Sequence, residues 1–178
     1  MARLITLTGA SGSGKSSAIR AFLEKEDAVF RPETIPKFTT RKPREDDNPD
    51  EVKCVKTLPK KLDLIYQQYD VRYGLAANQL SSALDQGRSP IVVLNDVRTI
   101  SEVKTLFGDL VLSIYVFRAA PSRRSFEDLA KARGQKAEKN LDLEKRLKKA
   151  EAIYRIYIEN IHLFSRVLLN TRGFQELD

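Results

Sequence analysis

Apolar positions along this chain fall into two patterns that take turns. Residues 3–8, 90–94 and 110–117 are short, nearly continuous apolar runs, the mark of strands covered on both faces, and residues 167–169 form a last, shorter one. Between them the apolar residues move to helical spacing. Ala18, Ile19, Phe22 and Leu23 define a helix over 16–25, residues 77–86 a second that Gly87 stops, and residues 100–107 a third. Ser122 is placed to cap a helix running to Ala132, with Arg133-Gly134 ending it. Residues 135–140 are polar and lack a core face. Leu143, Leu147, Ala150, Tyr154, Tyr157, Ile161 and Phe164 then recur at three- and four-residue steps, one face of a long amphipathic helix. Residues 32–50, rich in Pro, Thr and charge, are expected to be irregular or edge structure. Strands alternating with helices predict an α/β fold: a doubly wound parallel sheet with helices on both faces.

Length and composition narrow the class without naming a chemistry. A chain of 178 residues fits one domain, and 42% hydrophobic with 31% charged residues is an ordinary soluble balance. No apolar run approaches the ~20 residues of a membrane span. Residues 1–8 run straight into a Gly-rich loop, so a cytoplasmic protein is expected. Cys54 and His162 are the only residues of their types, which excludes an internal disulfide and histidine metal clusters. Neither is placed for nucleophilic or metal chemistry: Cys54 is expected to be a packed thiol and His162 a surface or helix-end residue. The net charge of +7 admits two readings, a nucleic-acid surface or a cleft for phosphorylated small molecules. The basic residues gather at 41–44, 123–133 and 145–149, and no aromatic-interleaved RNA-binding motif accompanies them, which favours the cleft and makes nucleic acid the weaker partner.

The chemistry enters at Gly9-Ala10-Ser11-Gly12-Ser13-Gly14-Lys15-Ser16, a full phosphate-binding P-loop between a strand and a helix. Glycines let backbone N–H groups turn inward onto phosphate oxygens, and the helix start adds a favourable dipole. Gly9, Ser11, Gly12, Ser13, Gly14, Lys15, Ser16 and Ser17 are therefore expected to bind ATP, with Lys15 on the β- and γ-phosphates and the Ser16 hydroxyl on Mg²⁺. The competing reading is a glycine turn with an exposed lysine.

Further motifs follow in a recognisable order. Phe38-Thr39-Thr40-Arg41-Lys42-Pro43-Arg44, Tyr73-Gly74, Asp96 after the buried strand, Ala120-Pro121-Ser122, Arg133-Gly134, Lys145-Arg146-Leu147 and Asn170 resemble, in sequence, the motifs of guanylate kinases over nearly the whole chain. The resemblance implies a nucleoside monophosphate kinase in three parts: a core (1–31, 76–134 and 147–178), an acceptor-binding part (32–75) and a lid (135–146). It implies that Arg41, Arg44 and Tyr73 hold the acceptor's phosphate, that Arg133 and Arg146 close on the transferring group, and that Asn170 lies by ATP. Asp96 would hold a water of the Mg²⁺ shell or orient the acceptor. Guanidinium forks and a phenol hydroxyl suit phosphate oxygens on their own chemistry.

The departures cluster where guanylate kinases read guanine. Lys37 stands where they have a serine, Lys53 and Cys54 near where they have a tyrosine, and Leu64 to Gln68 contains no acid where they have a glutamate. Leu94 replaces the first acid of their strand motif. Lys37 is thus a candidate acceptor-binding residue of a different kind, and Asp63 or Asp70 would be the substitute base reader if guanine is the acceptor. The segment Asn95-Asp96-Val97-Arg98 resembles the related ribose 1,5-bisphosphate phosphokinases, whose acceptor has no base. A guanylate kinase-like binding module is the remaining alternative, and the intact P-loop and arginines count against it.

Overall fold

The structure, a computed structural model, describes residues 1–27, 29–44, 47–68, 71–118 and 140–170, without the side chains of residues 68 and 140–146. The expected helix after Ser122, Arg133 and the lid up to residue 139 lie outside the described residues, as do Asp70 and the side chain of Arg146.

Two sheets organise the chain. The central one is parallel and contains β1 (Leu4–Thr8), β2 (Pro32–Thr34), β7 (Ser89–Val93), β8 (Val111–Arg118) and β9 (Arg166–Asn170), in the order β2-β7-β1-β8-β9. β1 is buried along its whole length, as a central strand with both faces covered must be. On one face α1 (Lys15–Leu23) packs Ala18 and Ile19 against Ile5, Leu7, Ile91, Ile114 and Val116. On the other, α2 (Ala77–Asp85) and α3 (Val97–Phe107) bring Leu80, Ala83, Ile100 and Val103 onto Leu4, Val92, Leu94 and Val111. α4 (Asn140–Glu159) joins this second face, where Tyr157 stacks on Tyr115 with ring centroids 4.3 Å apart. Helices on both faces of a parallel sheet make the doubly wound fold that the alternation of patterns implied. Among the described residues no helix is long and apolar enough to cross a membrane.

The second sheet, β3 (Lys37–Thr39), β4 (Val52–Cys54), β5 (Leu64–Gln68) and β6 (Val71–Leu75), has the order β4-β3-β6-β5. Its cross-strand register puts Thr39, Tyr73 and Tyr66 in one row, with Lys37, Leu75 and Leu64 on the same face. Leu64, Tyr66 and Leu75 from this face join the main core, while Lys37 and Tyr73 face the gap beside the P-loop. Gly74 is on the opposite face, where an added Cβ would come within 2.4 Å of Leu62 Cδ1.

Several expectations need correction. Residues 32–50, expected to be irregular or edge structure, supply the edge strand β2 of the central sheet, but also β3, which is an inner strand of the second. β2 is a three-residue edge strand and β3 turns a polar face to a cavity, so neither shows an apolar alternation. α3 begins at Val97, three residues ahead of the expected start, because Asp96 caps it. The long helix ends at Glu159, and residues Ile161–Leu163 form a 3₁₀ turn. Among the side chains of that helix that are described, Ala150 and Ile153 are buried, whereas Tyr154 and, beyond the helix, Ile161 are exposed.

Candidate active site

The P-loop is held from several sides. Thr8 Oγ1 donates to Leu94 O at 2.6 Å, pinning the end of β1 to the end of β7. Gly9 N–H donates to Asn95 Oδ1 at 3.2 Å. A Cβ on Gly9 would be 2.5 Å from the Val116 carbonyl oxygen and 2.6 Å from Ser13 Oγ, so only glycine fits there. Gly12 (φ 78°) and Gly14 (φ 102°) take left-handed conformations that a side chain would strain. Asn170 Nδ2 donates to Ser13 O at 3.1 Å, and Arg118 donates to Gly12 O at 3.2 Å. Arg118 had no signal in the sequence; it falls opposite Asn170 in the β8–β9 register.

These residues fit a nucleotide's phosphates. α1 starts at Gly14 with no side-chain cap and no acid in its first turn, so its first N–H groups are left for an anion. Buried Ser13 Oγ and Asn170 Oδ1 have no hydrogen-bond partner among the described residues. Lys15 Nζ donates to Gly9 O and Ala10 O, both at 2.7 Å, which keeps the ammonium at the loop. Ser11, Ser16 and Ser17 line the cavity in front of it. The described residues contain no group of three or more His, Cys, Asp or Glu suited to a metal. Mg²⁺ commonly takes one or two protein oxygens and completes its shell with phosphates and water, so the Ser16 hydroxyl fits an ion that arrives with ATP.

Asp96 has a structural occupation. Its Oδ2 accepts from Thr99 N at 2.8 Å and from Thr99 Oγ1 at 2.6 Å, the cap of α3. Arg98, its neighbour in the Asn95–Arg98 motif, is exposed and paired with Glu102, whereas Asn95 lines the cavity. The two ends of that motif do not meet.

The second sheet meets the P-loop across a cavity of about 710 Å³, whose lining includes Lys37, Arg41, Arg44 and Tyr73. The four expected acceptor residues are thus brought together, facing Lys15 and Ser16. Lys37 points inward, not to solvent. Its Nζ donates to Val93 O at 2.9 Å and lies 5.4 Å from the centre of the Tyr73 ring. Burial, with repulsion from Arg41 second and attraction from Glu51 opposing, lowers its pKa to about 8. Tyr73 in turn stacks on Tyr66 at 5.1 Å, and burial pushes the Tyr66 hydroxyl well above its ordinary pKa.

Asp47, Asn48 and Glu51 also line the cavity and were not singled out in the sequence. Asp47 grips the Arg41 guanidinium with both oxygens and accepts from Arg44 N at 2.8 Å. The Arg41 bond holds the Asp47 carboxyl below its usual range and raises Arg41. The signal available was an acid six residues after Arg41 in a loop already suspected of phosphate binding. Cys54, half-buried, donates its thiol to Asp47 Oδ2 at 3.7 Å, and burial raises its pKa. Lys53 is exposed, over the Phe38 ring. Asp63 is not at the cavity: its Oδ2 accepts from Ala77 N at 3.0 Å at the start of α2. His162 is exposed in the 3₁₀ turn.

Comparison with known proteins agrees with this geometry. A family model described as guanylate kinase matches residues 1–173. Among solved structures, guanylate kinase from Anaplasma phagocytophilum superposes with a TM-score of 0.62 at 16% identity, over 96% of this chain and 78% of that one. At that identity the likeness is one of fold. No curated protein sequence matches.

Proposed function

The chain belongs to the guanylate kinase family, and on that premise we propose that it is an ATP-dependent kinase moving the γ-phosphoryl group to a phosphorylated small molecule, with nucleoside monophosphates the class the family favours. The observation that carries this reading is the shared cavity. A nucleotide-ready P-loop and a basic clamp of Arg41, Arg44 and Tyr73 open onto the same space. An oxygen of the acceptor's phosphate would attack the γ-phosphorus while the bond to the β–γ bridging oxygen breaks. ADP and a diphosphate or bisphosphate leave. Little covalent work falls to the protein; positioning and charge stabilisation are its contribution.

In this reading the P-loop N–H groups and Lys15 hold the donor's phosphates, and Asn170 and Arg118 brace the loop. Mg²⁺, held by the Ser16 hydroxyl and the phosphates, would offset negative charge on the transferred group. Arg41, Arg44 and Tyr73 orient the acceptor's phosphate. Arg133 and Arg146 are assigned to the transferring group by the family motif. Reliance on ATP and the single cysteine suit a cytoplasmic setting.

The test is ADP release with ATP-Mg²⁺ against all nucleoside and deoxynucleoside monophosphates and ribose 1,5-bisphosphate. Acceptor-stimulated release is expected. A guanylate kinase-like binding module would show none with any acceptor, and its partner binding would survive Lys15→Ala.

A further inference from the structure

We propose that Lys37 sets acceptor specificity, and that it does so by selecting a small molecule with a second anionic group, phosphate or carboxylate, beyond the phosphate held by Arg41, Arg44 and Tyr73. The proposal deepens the kinase reading, on which the word acceptor rests.

The first support is placement. Lys37 shares a face of β3 with Thr39, which pairs with Tyr73 across the sheet. The bond to Val93 O draws the ammonium to the C-terminal end of β7, one strand from the P-loop. It therefore lines the cavity that the phosphate clamp and the donor loop share.

The second is the absence of an anionic partner among the described residues. Arg41, Arg88 and Arg98 are ion-paired with Asp47, Glu33 and Glu102, and Lys37 is in none of these pairs. Glu51 attracts Lys37 from outside ion-pair distance, and Asn48 Nδ2 donates to the Glu51 carboxylate at 3.4 Å. A desolvated ammonium satisfied by one carbonyl and one aromatic face is costly. An anion recovers more of that cost than a neutral carbonyl does, because it adds a charge–charge attraction to the hydrogen bond.

The third concerns what a base would need. A base's N–H donors call for acceptors in the wall, but β5 contributes no acid, Tyr66 is buried in the core and not in the lining, and Asp63 is occupied at α2. Asp47 is engaged by Arg41. Glu51 alone among the described carboxylates of the lining is not engaged by an arginine.

The experiment is calorimetric titration of ribose 1,5-bisphosphate and ribose 5-phosphate, which differ by one phosphate, into wild type, Lys37→Met and Lys37→Gln. GMP serves as the base-bearing comparison, and thermal melts check that the variants fold. Wild type is expected to bind the bisphosphate at least about tenfold more tightly than the monophosphate, and both variants to lose that preference while binding ribose 5-phosphate as before. A wild-type preference below about tenfold, the same preference in the variants, no measurable bisphosphate binding, or tighter binding of GMP than of the bisphosphate overturns the proposal. Binding needs no turnover. A protein that releases ADP with GMP alone would keep the kinase reading and lose this one; a protein that shows the Lys37-dependent preference but never releases ADP would do the reverse.

Discussion

Lys37→Met should stabilise the free protein at neutral pH and lose that advantage in alkali. Methionine keeps an unbranched stem and removes the ammonium. Burial lowers the Lys37 pKa from 10.5 to about 8. A drop of that size corresponds to about 3 kcal/mol at 1.36 kcal/mol per pH unit. Below about pH 8 the amine is protonated in the folded and unfolded chains alike, and the folded state carries the whole cost. Between pH 8 and 10.5 the unfolded chain keeps a proton that the folded chain has released, so wild-type stability contributed by this group rises through that window. Methionine carries no such cost at any pH, but it leaves Val93 O without its donor, a loss of about 1–2 kcal/mol. The variant should therefore be about 1–2 kcal/mol more stable at pH 7 and no more stable, or less, near pH 10.5. Urea melts of both proteins at pH 7, 8.5 and 10 measure this. Taking the difference between them cancels the other lysines and tyrosines that titrate in the window. If the difference is the same at pH 7 and pH 10 within about 0.5 kcal/mol, the ammonium is not desolvated and the reasoning fails.

Lys15→Ala should abolish acceptor-stimulated ADP release with the melting curve preserved, and normal turnover would remove the P-loop assignment. Gly9→Ala forces a Cβ onto the Val116 carbonyl oxygen and Ser13 Oγ; it should cost about 1–3 kcal/mol in urea melts and weaken ATP binding, and an unchanged protein would contradict the close packing. Asp96→Ala should cost about 1 kcal/mol through the lost cap, whereas Asp96→Ser, which can still cap, should restore both stability and turnover; a stable but inactive Asp96→Ser would return the carboxylate to the chemistry. Arg133→Ala and Arg146→Ala should lower kcat more than they weaken ATP binding, and a change in ATP binding alone would end the assignment for that residue.

In the central sheet β1, β7 and β8 were legible because they are continuous apolar runs, and burial on both faces leaves no other pattern for them. The P-loop was legible for a different reason: the tight approach at Gly9 and the left-handed Gly12 and Gly14 admit almost nothing but glycine, so geometry writes itself into residue type. The second sheet lacks both kinds of constraint. β3 and β4 are three residues each, and the cavity face of β3 carries Lys37 and Thr39 in place of apolar residues. Asp96 shows a further limit. An acid at the end of a central strand reads equally well as a metal-shell residue or a helix cap, and the choice depended on Thr99 three residues on. Asp47 and Glu51 stayed hidden because they sit in the loop leading to β4, where acids are ordinary and only the fold turns them toward the cavity.

Two cations beside the acceptor space are treated in opposite ways, and the contrast limits how the site can work. Arg41 arrives neutralised: Asp47 holds its fork, and the Arg44 backbone N–H and the Cys54 thiol hold Asp47. A phosphate that takes the Arg41 fork must displace a carboxylate already bound there, so much of that interaction is an exchange with little net gain. Lys37 offers no such exchange, because no described carboxylate has to leave when an anion reaches it. The lining carries Lys15, Arg20, Lys37, Arg41 and Arg44 against Asp47 and Glu51, so the cavity attracts anions as a whole. Within that general attraction, Lys37 can discriminate because an anion that reaches it displaces no described carboxylate. Binding an anion there should also pull the Lys37 pKa back up, so acceptor binding near pH 8.5 takes up a proton. The charge that makes the empty fold less stable is then the same charge that recognises the ligand.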